Sequence, residues 1–555
     1  MADDREWTDE ELSGPKIDRR TTISLLSAAG LGGLAGCAGG GDEASPTEAE
    51  ETATPTATPT PPPEEDRGGH LEAAWFTGSI DVLDPPYISV GQYFQVAANI
   101  FNGLVTLKQD LTVRGDLAKD WTVSNGGTTF TFDLREGVTF HNGEEFTAED
   151  VRYTINRTIS EETPAAAKLG TLKPVDDGGV VVEDDYTVQL NFEKAMAPAL
   201  IYLTRGPGRA ATIVSKSAIE EMGAEQYKTE PVGTGPFQVV NHDVGSSIEL
   251  EAYDDYFGTD ADGNQLPYLD SVTISPIAEP ASIINALKSG DVQFSNLVPL
   301  QNVSQVEDAQ EVEKLEAPGV NWLGLAMNQN REPFTSQKVR RGIAKSIDNQ
   351  KYVDTAYFGN ALADTGPLNK ATGWVWRDDK PSDQDYAPDE GQTLLEEEGA
   401  TGASFAILTT KGNLRPAESM KQQLDAAGFD VSIDQVTSSV YWDRYANLDY
   451  DVTISGSVGD PDPDQSLWNF YRTDGPWNWV AYEDEKVNQW LADQRRELDR
   501  DARADILQKL EDRLIKQVPH AYLSHRSDIA ARRNEVNGFV HIPYMRNFHT
   551  TWIEG

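Results

Sequence analysis

The chain has 555 residues, 91 of them acidic and 46 basic, with a formal net charge of −45 and a single cysteine. Such a surface repels nucleic-acid phosphates and anionic headgroups, which excludes nucleic acid as a partner, and one cysteine excludes an internal disulfide or a cysteine-based metal site. The acidic residues are spread along the chain rather than gathered in one tail, a pattern that fits adaptation to high salt, where screening over a few ångströms makes self-repulsion tolerable; a cation-binding acidic surface is the alternative.

The first feature in chain order is Arg19-Arg20, followed by an apolar run from Ile23 to Leu34. A helix of that length covers roughly 18 Å, against roughly 30 Å for a bilayer core, so it has the length of a signal segment rather than a span. The arginine pair before it fits a twin-arginine export signal. Leu34-Ala35-Gly36-Cys37 resembles a lipoprotein lipobox, which implies cleavage before Cys37 and a thioether-linked lipid on it. Residues 37–70 are rich in Gly, Thr, Pro and Glu and form a semi-stiff, self-repelling tether.

Structure is expected from about Leu71, with strand-like runs alternating with amphipathic helices, an α/β arrangement. Thr129 to Leu134 alternates as a half-buried strand does. Thr147-Ala148-Glu149-Asp150 opens a helix that Thr147 can cap, with Val151, Ile155 and Ile159 on one face. Val339, Ile343 and Ile347 form a second stripe. A third helix starts at Pro416 and ends at Gly428. A long helical region from Asp484 to Gln517 stops before Pro519, and its stripe from Val487 to Leu514 faces a core. No internal repeat is present.

Motifs for catalysis or cofactors are missing. There is no Walker loop, no Gly-x-Ser-x-Gly elbow and no His-Glu-x-x-His helix, and His520 and His525 are badly spaced for a metal. No cofactor is expected, and nothing in the sequence supports an enzyme.

Gly115 to Val151, reading Gly-Asp-Leu-Ala-Lys-Asp-Trp and then Phe-Thr-Phe-Asp-Leu-Arg-Glu-Gly-Val-Thr-Phe-His-Asn-Gly-Glu-Glu-Phe-Thr-Ala-Glu-Asp-Val, resembles the signature block of the family 5 extracellular solute-binding proteins, the dipeptide, oligopeptide and nickel receptors of ABC importers. Leu83-Asp84-Pro85, Ile100-Phe101-Asn102-Gly103-Leu104, Gly233-Thr234-Gly235-Pro236-Phe237, Ser289-Gly290-Asp291-Val292, Pro333-Phe334, Val339-Arg340-Arg341 and Ser346-Ile347-Asp348 keep the family's order. Within the block His141 reads as structural, holding the turn before the helix at Thr147. The resemblance implies a two-lobed clamshell with an extra domain and discontinuous lobes: 1–36 signal peptide, 37–70 linker, 71–106, 229–322 and 521–555 first lobe, 107–228 extra domain, and 323–520 second lobe.

The resemblance also implies candidate solute contacts. Asp460, in Gly456-Ser457-Val458-Gly459-Asp460, falls on the acidic position that holds a peptide α-amino group in peptide binders, although Ser457 stands where the family has Trp. The bland alternative is a Pro-Asp turn with solvated carboxylates. Trp442 matches an aromatic position lining the cleft, and Ser89 and Gly91 fall at ligand-facing loop positions. Lys411 and Arg415 stand near the place where dipeptide binders carry an arginine for the peptide carboxylate. Trp477 and Trp479 read equally as cleft lining or as loop anchors. The function so implied is a monomeric, lipid-anchored receptor on the outer face of the cell membrane that passes a peptide or other small polar solute to ABC permease subunits. A solute-sensing receptor with a signalling partner and a secreted hydrolase are the alternatives.

Overall fold

The computed structural model of the protein describes residues 61–63, 67–206, 209–457, 459 and 461–555. The signal segment, Cys37, most of the tether and Asp460 lie outside the described residues. Among the described residues no helix is long and apolar enough to cross a membrane.

Two mixed sheets organise the molecule. The first has seven strands, in the spatial order Val312–Ala317, Asp528–Arg533, Phe294–Ser295, His70–Trp75, Ser271–Pro276, Ser247–Ala252 and Phe237–Asp243. The second has six, in the order Ala361–Ala363, His520–Arg526, Trp322–Met327, Val452–Ser457, Ser404–Thr410 and Asp430–Val436. In the second sheet Trp322–Met327 is buried throughout, and the period of two explains how. Leu323, Leu325 and Met327 pack with Val339 and Ile343 on one face, while Trp322 and Ala326 pack with Tyr471, Tyr522, Leu507 and Leu510 on the other. A two-lobed clamshell results, each lobe built on one sheet with its own core.

The chain passes between the lobes twice, and the two passages are laced together. Asn321 Nδ2 donates to Arg526 O (2.8 Å), and the Arg526 N–H donates back to Asn321 Oδ1 (2.8 Å). The second passage comes after Arg526 rather than after His520, because the strand His520–Arg526 pairs with Trp322–Met327 inside the second sheet. A few residues at such crossings are all a hinge needs.

The extra domain is a four-stranded antiparallel sheet, Ala118–Ser124, Thr129–Leu134, Thr187–Asn191 and Val180–Asp184, covered by the helix Ala148–Ser160. Its core runs from Leu104 to Ile213, whereas Val214, Ala218, Ile219 and Tyr227 belong to the first lobe's core. The extra domain therefore ends near Ile213, earlier than the expected 228. Thr147 and Asp150 form a capping box at the start of its helix, with the Thr147 N–H donating to Asp150 Oδ2 (2.9 Å).

The long helical region near the C-terminus is two helices, Glu485–Arg496 and Arg500–Gln517. Asp499 breaks it, since its side chain caps the second helix by accepting from the Ala502 N–H (2.9 Å). Leu498, in the break, packs at Gly127 of the extra domain. The helix expected from Pro416 begins at Leu414, and Gly428, at φ +93°, follows its end.

The signature motifs meet at the seam between the extra domain and the first lobe. Asp84 is fully buried and takes both ends of the Arg157 guanidinium (3.0 and 2.7 Å). Asn102 Nδ2 donates to Asp116 Oδ1 (2.7 Å). His141 bridges the Gly-Thr-Gly loop, with Nε2 bonded to Gly235 O (3.0 Å) and Nδ1 accepting from the Gly233 N–H (3.3 Å). Burial pushes that imidazole down to about 4, so it clasps as a neutral ring. A Cβ on Gly233 would lie 2.0 Å from Ile100 O, so this loop closes only with glycine. His141 thus has a structural role, but its partners are in the first lobe rather than in the turn before Thr147.

Candidate functional site

A cavity of about 430 Å³ lies between the lobes. The first lobe contributes Ser89 and Gly91 at the start of the helix Gly91–Ile100, and Phe94 one turn on. The entry to that helix is fixed by Trp75 Nε1, which donates to Gln92 O (2.8 Å). Tyr544 adds a ring from the C-terminal segment. Its backbone N–H donates to Asp528 Oδ2 (2.8 Å), and Asp528 is in turn paired with Arg546 (2.5 Å).

The second lobe supplies an aromatic wall. Trp442 stands on the helix Ser438–Ala446, whose Tyr441 and Tyr445 are buried while Trp442 is 55% exposed. Trp479 meets Trp442 edge-on at 6.0 Å and Tyr445 at 4.9 Å, and Trp477 meets Phe470 at 5.6 Å. The loop bearing Trp477 and Trp479 is tied down by Asn478, whose Nδ2 donates to Tyr482 O (2.7 Å), and by Tyr450 Oη, which donates to Trp479 O (2.5 Å). Both tryptophans line the cavity and are also anchored, so neither sequence reading of them excludes the other.

The end of the strand Val452–Ser457 forms the floor, through Ser455, Gly456, Ser457 and then Gly459. Gly459 has φ +132°, and a Cβ there would lie 2.6 Å from the Tyr544 ring, so only glycine fits. The Pro-Asp-Pro-Asp run that follows is not a solvated turn. Asp462 holds Arg503 in a two-pronged pair (2.6 and 2.6 Å), and Asp464 holds Arg495 (2.7 and 2.8 Å) as well as Tyr202 and Gln494. Burial works against ionisation of Asp464, but Arg495, Tyr202 and Arg503 outweigh it and keep the carboxyl below its ordinary range.

Two cations face the cavity, Lys168 and Arg209, and no carboxylate lines it among the described residues. The buried Lys168 ammonium bonds Gln465 Oε1 and lies over the Tyr202 ring (5.0 Å). The Arg209 guanidinium lies 4.2 Å from the centre of the Phe94 ring. Aromatic faces, small backbone-exposing residues and cations together suit a small polar solute with an anionic end and an apolar body.

The sequence matches the bacterial extracellular solute-binding proteins, family 5 (middle region), over residues 112–478. The chain belongs to that family. Members bind a solute outside the cytoplasm and are not enzymes. Among curated relatives, a glutathione-binding protein of Pectobacterium atrosepticum is 24% identical over 480 residues, covering 83% of this chain and 90% of the relative. A dipeptide-binding protein of Escherichia coli is 25% identical over 496 residues, with the same coverage of 83% and 90%. The DppA periplasmic binding protein of Helicobacter pylori, solved with the peptide STSA, superposes with a TM-score of 0.74 at 23% identity, over 89% of this chain and 99% of that one.

In this family-5 protein, Ser89, Gly91 and Trp442 are brought together at the cavity, which Gly459 also lines, while Asp460 lies outside the described residues. Lys411 and Arg415 are not brought to it. Lys411 opens an exposed turn after the strand Ser404–Thr410, and the Arg415 guanidinium lies over the Phe358 ring (4.5 Å) at the end of another helix. The sequence reading missed Lys168, Arg209, Tyr544 and Phe470. The one available signal was the sequence Gly206-Pro207-Gly208-Arg209, a Gly-Pro run followed by a cation in an acid-rich chain.

Proposed function

We propose that this protein is a lipid-tethered receptor that captures a short peptide as its zwitterion and hands it to the permease of an ABC importer. The observation that carries the reading is the cavity of about 430 Å³ between the lobes, with a tryptophan wall on one side and Lys168 and Arg209 facing it. Asp460, following Gly459, takes the peptide ammonium. Arg209 and Lys168 take the carboxylate end, in place of the expected Lys411 and Arg415. Trp442, Trp477 and Trp479 pack side chains, and Ser89 and Gly91 offer backbone to the peptide. The names of the dipeptide- and glutathione-binding relatives support a peptide-like solute. The Arg19-Arg20 pair and Leu34-Ala35-Gly36-Cys37 support export and a lipid on Cys37, with residues 38–70 as the leash that keeps a monomeric receptor beside its permease in a salty medium.

The test is calorimetric titration of the purified protein with short peptides and with the same peptides amidated or N-acetylated. Stoichiometric binding without hydrolysis, weakened by either block, is the expected result. Loss on N-acetylation should be matched by Asp460→Ala, at about 2–4 kcal/mol for a desolvated pair losing one member. Blocked and free peptides binding alike would overturn the zwitterion reading.

A further inference from the structure

A second cavity, of about 150 Å³, lies where the extra domain meets the first lobe, and it shares no lining residue with the interlobe cavity. Its wall gathers Arg114, Arg135 and Arg205 around Asp116, with Tyr256 and His549 closing it. This is an unusual concentration of positive charge for a chain with 91 acidic and 46 basic residues.

Three guanidinium groups face one carboxylate, and that carboxylate is already engaged. Asp116 accepts from Asn102 Nδ2 on one oxygen (2.7 Å) and from the Gly103 N–H on the other (3.0 Å). Arg205, only 2% exposed, reaches Asp116 at 3.5 Å, and its hydrogen bonds to Thr106 Oγ1 and Phe101 O are both long at 3.4 Å. Among the described residues Arg135 donates only its Nε–H, to the Asp116 carbonyl (2.7 Å), and its guanidinium lies over Phe257 (5.5 Å). The Arg114 side chain forms no ion pair or hydrogen bond among the described residues. The His549 Nδ1 is buried and has no hydrogen-bond partner there. Burial, with Arg205 and Arg114 adding to it, pushes that imidazole down to about 3.

We propose that this cavity is a second binding site, for a small inorganic oxyanion of the phosphate or sulfate class, held by Arg114, Arg135 and Arg205. Guanidinium forks match the oxygen geometry of such an anion, and an anion here supplies the negative charge that the cluster lacks. The occupant bridges Arg114 and Arg135 of the extra domain to the C-terminal segment of the first lobe at His549, so it ties the same seam as the His141 clasp.

The test uses the purified protein at constant ionic strength, with chloride replaced stepwise by phosphate, sulfate or acetate, and reads the melting temperature together with phosphorus NMR line width. Phosphate and sulfate should raise the melting temperature along a saturable curve, and Arg114→Gln should move the midpoint by about tenfold or more. Because Arg114 makes no hydrogen bond or ion pair among the described residues and is repelled by Arg205, the variant should melt no lower than the wild type without phosphate. Arg135→Gln supplies an independent second variant, which should shift the same midpoint. A rise that follows the general salt series without saturating, a saturable rise unchanged in both variants, or no response would each overturn the proposal.

Discussion

Asp464→Asn tests the physical core of the site. Asp464 is fully buried, and its oxygens take the Arg495 fork at 2.7 and 2.8 Å along with Tyr202 and Gln494. The substitution keeps the volume and removes the charge, which leaves the half-buried Arg495 without its counterion at a fully buried site, at a cost of about 3–5 kcal/mol. The exposed pair Arg472–Asp474 serves as the control, and Asp474→Asn should cost at most about 1 kcal/mol. Urea unfolding at fixed high salt measures both. A loss below about 1 kcal/mol for Asp464→Asn would refute the claim that this network holds the loop after Gly459. The pH dependence has a definite sign. Asp464 and Asp528 both have carboxyls held below the ordinary value of 3.8, so their contributions are complete above the unfolded value and are lost as pH falls through the folded ones. Wild-type stability should therefore decline progressively below about pH 4, and that decline should be shallower in Asp464→Asn.

Trp442→Ala removes a ring that is 55% exposed in the free protein. If a solute covers about 60–80 Å² of it, the loss is about 1.5–2 kcal/mol, or about 10- to 30-fold in Kd by calorimetry; unchanged affinity would take this ring out of the site. Cys37→Ser should move the protein from the membrane pellet to the supernatant, and continued membrane retention would defeat the lipid-anchor reading. Lowering salt from molar to tens of millimolar should lower the melting temperature, because a net charge of −45 is then unscreened; an undiminished value would refute adaptation to salt.

Individual helices and strands were legible in the sequence because their cues are local, whereas the two-lobed clamshell was implied by the resemblance to the family. Thr147 and Asp150 cap a helix within one turn, and the alternation from Thr129 to Leu134 marks a strand by itself. Domain edges were read less well, because core membership depends on residues far apart in sequence. Tyr227 belongs to the first lobe through its packing beside Phe237 and Leu269, which no local pattern reveals. The break at Leu498 was hidden because Asp499 is an ordinary exposed acid unless its bond to Ala502 is known. At the cavity, Ser89, Gly91 and Trp442 were reached through motif position. Lys168 and Arg209 lie in stretches with no motif, and only the folded chain brings them opposite Trp442.

The two sets of residues divide the labour. The motifs that mark the family, around Asp84, Asn102, Asp116, His141 and Gly233, are spent on the seam between extra domain and first lobe, where a buried pair and a neutral imidazole fix one geometry. The cavity draws instead on a helix start, a loop tied by Asn478 and the end of one strand, where Gly456 and Gly459 are held to glycine by the Trp322 carbonyl and the Tyr544 ring. A scaffold held rigid at the seam can thus keep its form while the exposed Trp442 side of the cavity is relined and the glycine floor stays fixed. In the proposed function the residues that touch the solute are Lys168, Arg209 and the tryptophans, and none of them belongs to the motifs at the seam.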